Sequence, residues 1–114
     1  MAQTIIDGKY SSEYGLKILM QIDPMDINQI TLERKKYFKK TVGGSIDFKV
    51  SFVNGEEIMV INSFGMGFNG HTVQATAQAL NHFGISKKEA NKVFNCLEKR
   101  IIFKIDYLPK RFRF

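Results

Sequence analysis

Across residues 45–64 apolar and polar positions alternate: Ile46, Phe48, Val50 and Phe52, then Ile58, Val60, Asn62 and Phe64 after an Asn54-Gly55 interruption. A period of two puts these side chains on one face of an extended chain. Asn-Gly accommodates the positive φ angles of a tight turn, so the segment predicts an antiparallel hairpin. Val53, Met59 and Ile61 make the second face partly apolar, which predicts a central place in a sheet with a helix on each side.

Upstream, Leu16, Ile18, Met20 and Ile22 alternate with Lys17, Leu19 and Gln21 and predict a first strand within residues 15–23. Residues 1–14 are polar around one Ile-Ile pair and read as a frayed end or a short edge strand. Asp23-Pro24-Met25-Asp26 has the chemistry of a helix start: a capping carboxylate, a proline suited to the first helical position and a second acid at the positive end of the dipole. Ile27, Ile30, Arg34, Tyr37 and Phe38 then share one side at 3.6 residues per turn, predicting a basic amphipathic helix that ends at Gly43-Gly44. A competing reading makes residues 29–38 a strand that begins with Ile30 and Leu32, an alternation that stops at Arg34.

Beyond Gly70 the period changes. Val73, Ala77 and Leu80 recur at helical spacing through Phe83, and Gly84 marks the stop. Ser86-Lys87-Lys88-Glu89 is a capping box opening a second helix, whose buried stripe is Ala90, Val93, Phe94, Leu97 and Ile101. The alternation Ile101, Phe103, Ile105, Tyr107 predicts a last strand, stopped by Pro109. The elements run β-α-β-β-α-α-β, a small α+β domain with an antiparallel or mixed sheet and helices packed on it. With the last two helices taken as one layer, the order resembles the split βαβ arrangement of ferredoxin-like folds, which include RNA-recognition modules. Counting residues 29–38 as a strand gives instead a four-stranded sheet followed by a helical hairpin.

At 114 residues the chain suits one domain spanning residues 1–114, with residues 1–14 and 109–114 as its flexible ends. No basic start followed by an apolar run marks a leader, and no apolar stretch is long enough for a membrane span. The single cysteine, Cys96, has no internal disulfide partner; a reducing, cytoplasmic setting is expected.

Charge changes the picture more than composition does. The net +6 is segregated: residues 33–40 carry five Lys/Arg against one Glu, and residues 87–114 carry nine against three acids, whereas 1–32 and 41–86 are each mildly acidic. Clustered cations release counterions from a polyanion on binding, which points to nucleic acid as a partner. The same pattern also describes a solvated surface on a basic protein.

Three constellations carry candidate chemistry. Gly65, Gly67 and Gly70 form a literal G-x-G-x-x-G followed by His71 and Thr72. The acid that a dinucleotide fold requires about 20 residues on is missing from its place, since the next strand's acid is Asp106. What remains is a phosphate loop at a helix start, or a bend that reverses the chain. The second constellation is the helix pair around Gly84. Ala79, Phe83, Ile85, Ala90 and Val93 fall at spacings that resemble the buried positions of a helix-turn-helix, with a departure at Leu80, where that motif places a small residue. Opposite the stripe, Lys87, Lys88, Asn91, Lys92, Asn95 and Lys99 form an arc suited to phosphates and base edges, with Glu98 also on it. The third is the tail, where Lys104, Tyr107, Lys110, Arg111, Phe112, Arg113 and Phe114 interleave cation and aromatic as single-strand binders do.

Enzymatic constellations do not emerge. His71 and His82 are the only histidines, Cys96 has no companion at metal-ligand spacing, and no nucleophile lies beside a base. The expectation is a non-enzymatic nucleic-acid binder, of DNA or RNA, without cofactor or metal. It uses Lys87, Lys88, Asn91, Lys92, Asn95 and Lys99, the tail cations Lys110, Arg111 and Arg113, and Lys35, Lys36, Lys39 and Lys40 where they extend the same side. The alternatives are a small interaction module or inhibitor docking on a larger protein, and a phosphate or nucleotide ligand at the glycine loop.

Overall fold

Five strands and three short helices make up the α+β fold of the computed structural model, which describes residues 3–34 and 45–105. The strands are β1 (Gln3–Asp7), β2 (Ile27–Arg34), β3 (Ser45–Phe52), β4 (Glu57–Gly65) and β5 (Arg100–Lys104). The helices are α1 (Ser12–Met20), α2 (His71–His82) and α3 (Lys87–Ala90). The sheet order is β1-β4-β3-β2-β5, with β1 parallel to β4 and every other pair antiparallel. The mixed sheet and α+β class agree with the sequence, and the predicted hairpin occupies the middle of the sheet as its two-faced apolarity implied. The strand order departs from the ferredoxin-like arrangement.

Two upstream elements exchange character. Residues 15–23, predicted as a strand, lie mostly in α1. Ser11 caps this helix by accepting from Tyr14 N at 3.0 Å, and Glu13 sits in its first turn. Gly15 and Leu19, four residues apart, are its buried positions, so the alternation of Leu16, Ile18 and Met20 was coincidental to the helical face. The predicted helix after Asp23 is a single 3₁₀ turn, Pro24–Asp26, whose Asp23 cap accepts from Met25 N at 2.9 Å. The chain then becomes β2. A register shift between Ile27 and Gln29 puts Ile27, Ile30 and Leu32 on one face, so a bulged strand imitates the three-residue spacing of a helix. Arg34 stays in phase with Ile30 and Leu32 and points to the same side, although its polarity interrupts the pattern. The strand alternative for residues 29–38 therefore describes the part of that stretch within the described residues. Residues 1–14 include the short edge strand β1.

The helices cover one face of the sheet rather than both. Ile30, Leu32, Ile46, Phe48, Val50, Val60 and Phe103 are buried on that face beneath Leu19, Val73, Leu80 and Phe83, and α1 packs beside α2. Phe48 lies at the centre, with ring centroids 5.1 Å from Phe64 and 6.3 Å from Phe83. The opposite face mixes exposed Ile5 and Ile102 with ion pairs: Lys49 pairs with Glu57 at 3.6 Å and Arg100 with Glu33 at 3.4 Å.

Helix α2 ends where Gly84 predicted. Gly84 N donates to Asn81 O and Ile85 N to Leu80 O, both at 3.0 Å, the paired bonds of a Schellman close. Close approach of α1 to β4 depends on Gly15, whose added Cβ would stand 2.5 Å from Ser63 Cβ. Alanine gains roughly 0.5–1 kcal/mol of helix propensity over glycine, but overpacking costs about 1–3 kcal/mol. Gly15→Ala is therefore expected to be net destabilising in urea unfolding, and Ser63→Gly in the same chain should recover part of the loss. An additive double mutant would refute the contact.

Candidate nucleic-acid interface

The segment that carries the candidate lysines is shorter as a helix than its apolar stripe implied. Ser86 caps α3 by accepting from Glu89 N at 3.2 Å, as the capping box requires, but the Glu89 carboxylate turns to Lys92 Nζ at 3.0 Å. After Ala90 the chain tightens into a 3₁₀ turn, Asn91–Phe94, and leaves helical geometry at Asn95. Ala90 and Val93 are buried as predicted, whereas Leu97 is 80% exposed and Ile101 belongs to β5. The helix-turn-helix resemblance thus extends over a first helix and one α turn of a second, without the full recognition helix whose arc would align Lys99 with Lys88.

Beyond the 3₁₀ turn the chain does not resume a helix, and its carbonyls there are claimed from elsewhere. In a continuing α-helix, Val93 O would accept from Leu97 N; it accepts instead from Gly67 N at 2.7 Å. Arg34 takes the next carbonyls. Its Nε donates to Glu98 O at 3.0 Å, one terminal nitrogen donates to Cys96 O at 2.5 Å, and the other donates to Met66 O at 3.3 Å. Arg34 N also donates to Lys99 O at 2.9 Å. One side chain thereby joins the end of β2, the glycine loop and the lysine segment. Among the described residues Arg34 meets no carboxylate within 4 Å, so its charge is met by backbone dipoles.

The glycine loop is largely consumed by the fold. Gly65 lies in β4, and its N donates to Thr76 Oγ1 at 3.2 Å while Thr76 Oγ1 donates back to Gly65 O at 2.9 Å. Gly67 has φ of 93° and its amide is held by Val93 O. An added Cβ there would meet an Arg34 guanidinium nitrogen at 2.7 Å and Cys96 O at 2.9 Å, so both conformation and space require glycine. Two of the three motif amides are therefore unavailable to a phosphate. Gly70 occupies the cap position of α2 without a capping side chain; His71 is exposed and Thr72 half-buried beside it.

Between the glycine loop and the 3₁₀ turn lies a shallow cleft of about 520 Å³ lined by Gly67, Phe68, Asn69, Phe94 and Asn95. The Gly67–Val93 hydrogen bond sets two Phe-Asn dipeptides side by side, with both rings half-buried and both amides exposed. Sequence reading placed Arg34 and Phe94 only in amphipathic stripes and did not single out Phe68 or Asn69; the repeated Phe-Asn was the available signal. Around this cleft Lys87, Lys88, Asn91, Lys92, Asn95 and Lys99 are all exposed on the one segment that forms its second wall. Lys87, Lys88 and Lys99 have no ion pair within 4 Å among the described residues. The remaining predicted contacts, Lys35, Lys36, Lys39, Lys40, Lys110, Arg111 and Arg113, lie outside the described residues.

His82 Nε2 lies 3.0 Å from Ile22 O and its ring stands edge-on to Phe83, tying α2 to the turn after α1. Among the described residues, no group of three or more His, Cys, Asp or Glu side chains is placed to share a metal ion. Nor is any described helix long and apolar enough to cross a membrane. No protein-family model, curated protein sequence or solved structure matches the chain.

Proposed function

We propose that this is a non-enzymatic, cytoplasmic nucleic-acid-binding protein that meets phosphates through Lys87, Lys88, Lys92 and Lys99. The observation that carries the reading is that Lys87, Lys88 and Lys99 are exposed on one short segment and unneutralised among the described residues, beside the charge of Arg34. Lysines in this state displace cations condensed on the polyanion when they meet its phosphates, and the release of those cations favours binding. Asn91 and Asn95, exposed between them, supply amide groups for bases.

A titration of labelled single-stranded and duplex DNA and RNA across a salt series tests the proposal. The logarithm of the binding constant should fall linearly with the logarithm of salt concentration. Lys87→Ala, Lys88→Ala and Lys99→Ala together should flatten that slope by about 2, because each lost contact removes roughly 0.7 on a single strand. Absence of binding at low salt overturns the proposal, and an unchanged slope in the triple variant moves the surface elsewhere.

A second reading concerns the open sheet face. Ile5, Met59, Lys49, Thr31 and Ile102 form one row across all five strands, with Ile5 and Ile102 exposed. Lys49 and Arg100 on it are paired with Glu57 and Glu33, so this face suits a protein partner better than a polyanion. Recovery of a stoichiometric protein complex whose formation is blocked by Ile102→Glu would favour the interaction-module account.

A further inference from the structure

We propose that the cleft between Phe68-Asn69 and Phe94-Asn95 receives an unpaired nucleobase, making the protein a binder of single-stranded nucleic acid. The inference rests on the nucleic-acid reading above and goes beyond it by assigning a base site and a strand preference.

The cleft joins three kinds of group that unpaired nucleotides need. Phe68 and Phe94 are half-buried, packed against the core on one side and lining the cleft on the other. Their placement is built into the backbone: the Phe68 ring lies over Gly70, where an added Cβ would come within 3.1 Å of it, and the Gly67–Val93 bond fixes the spacing of the two walls. Aromatic faces held in this way stack on bases of any sequence. Asn69 and Asn95 follow the rings directly and are exposed, so their amides are available to the donor and acceptor edges that only an unpaired base presents in full.

The electrostatics favour the backbone of the same ligand. The Arg34 guanidinium lies against Gly67, the residue between the two walls, and is fixed there by three carbonyls instead of a carboxylate. Three of its five N–H donors are held by these carbonyls, and the group adds a fixed positive field at this edge of the cleft. The uncapped start of α2 follows Asn69 at the same rim, and Lys92 and Lys99 lie within a few residues of Phe94. A duplex presents its bases stacked and paired, and the short α3 with its 3₁₀ turn provides no long helix for the major groove. The cleft volume of about 520 Å³ lies within the range of small-ligand sites, and its open form admits a base continuous with a chain.

The test uses the full chain and three labelled probes of equal length: a thymidine oligonucleotide of about 12 residues, the same strand with abasic central positions, and the duplex. A uridine oligonucleotide distinguishes RNA from DNA as the source of the base. Phe68→Leu and Phe94→Leu preserve apolar bulk against the core while removing the stacking face. Each should weaken binding of the thymidine strand roughly fivefold or more. The abasic strand should bind the wild-type chain with a similar loss and be insensitive to either substitution. Tighter binding of duplex than of single strand would overturn the base site. So would equal binding of the abasic and normal strands by the wild-type chain, or Phe variants that fold and change affinity less than about twofold. If the lysine variants still abolish binding in that case, the phosphate-contacting surface stands without the base site. Because the abasic comparison needs no mutation, a Leu variant that fails to fold leaves the decision intact.

Discussion

Replacing Arg34 with alanine is expected to lower the free energy of unfolding by about 2–4 kcal/mol, since three carbonyls lose a charged donor at once. Each such bond contributes roughly 1.5–3 kcal/mol when shielded from water, and the half-buried guanidinium falls short of the full sum because water screens part of it. The carbonyls fare unequally: Met66 is fully buried and Glu98 exposed, so the penalty concentrates at the glycine loop. Arg34→Lys should recover under half of the loss, because an ammonium is a point donor and cannot span three acceptors. Urea denaturation measures both values, and amide exchange at Gly67, whose N–H is held by Val93 O, should accelerate in the alanine variant. A loss below about 0.5 kcal/mol would mean the carbonyls rehydrate freely and that Arg34 does not hold the loops together. Binding should weaken as well, since the walls of the cleft share this fastening.

Phe48→Ala is expected to cost about 3–5 kcal/mol, enough to consume much of the stability of an ordinary domain. Phe48 is fully buried on the middle strand and touches rings from both β4 and the end of α2. Truncation leaves a cavity bordered by rigid strand backbone and by Phe64 and Phe83, with little freedom to collapse. Phe48→Leu should cost distinctly less because most of the volume remains. The urea midpoint should fall without a change of slope, and a Phe48→Ala loss under about 1.5 kcal/mol would show that the three rings repack around the gap. The two substitutions differ in reach. The Phe48 change lowers protection throughout the sheet, whereas the Arg34 change acts first on the loops around the cleft.

Legibility along the chain followed the range of the determining contacts. The hairpin of β3 and β4, the Schellman close at Gly84 and the Ser86 cap are local events, each specified within a few residues, and all were readable. Residues 12–34 misled because two local patterns imitated each other. Apolar residues at every second position in α1 mimic a strand, and the bulge near Ile27 gives β2 the spacing of a helix. Ser11 before Ser12 and Glu13 was the overlooked cue to α1.

The amino-acid sequence by itself determined the α+β character, the central hairpin, the extent of α2 and the concentration of lysine on the segment that follows it. Periodicity, turn chemistry and charge act over short distances and needed no partner to be read. Only the tertiary structure decided that no helix resumes beyond the 3₁₀ turn, which glycine amides are consumed and that two Phe-Asn dipeptides face one cleft. These outcomes depend on Arg34 reaching carbonyls 62 and 64 positions away and on Gly67 capturing Val93 O. Where the carbonyls bond to distant donors the chain does not resume a helix, whatever its apolar stripe predicts.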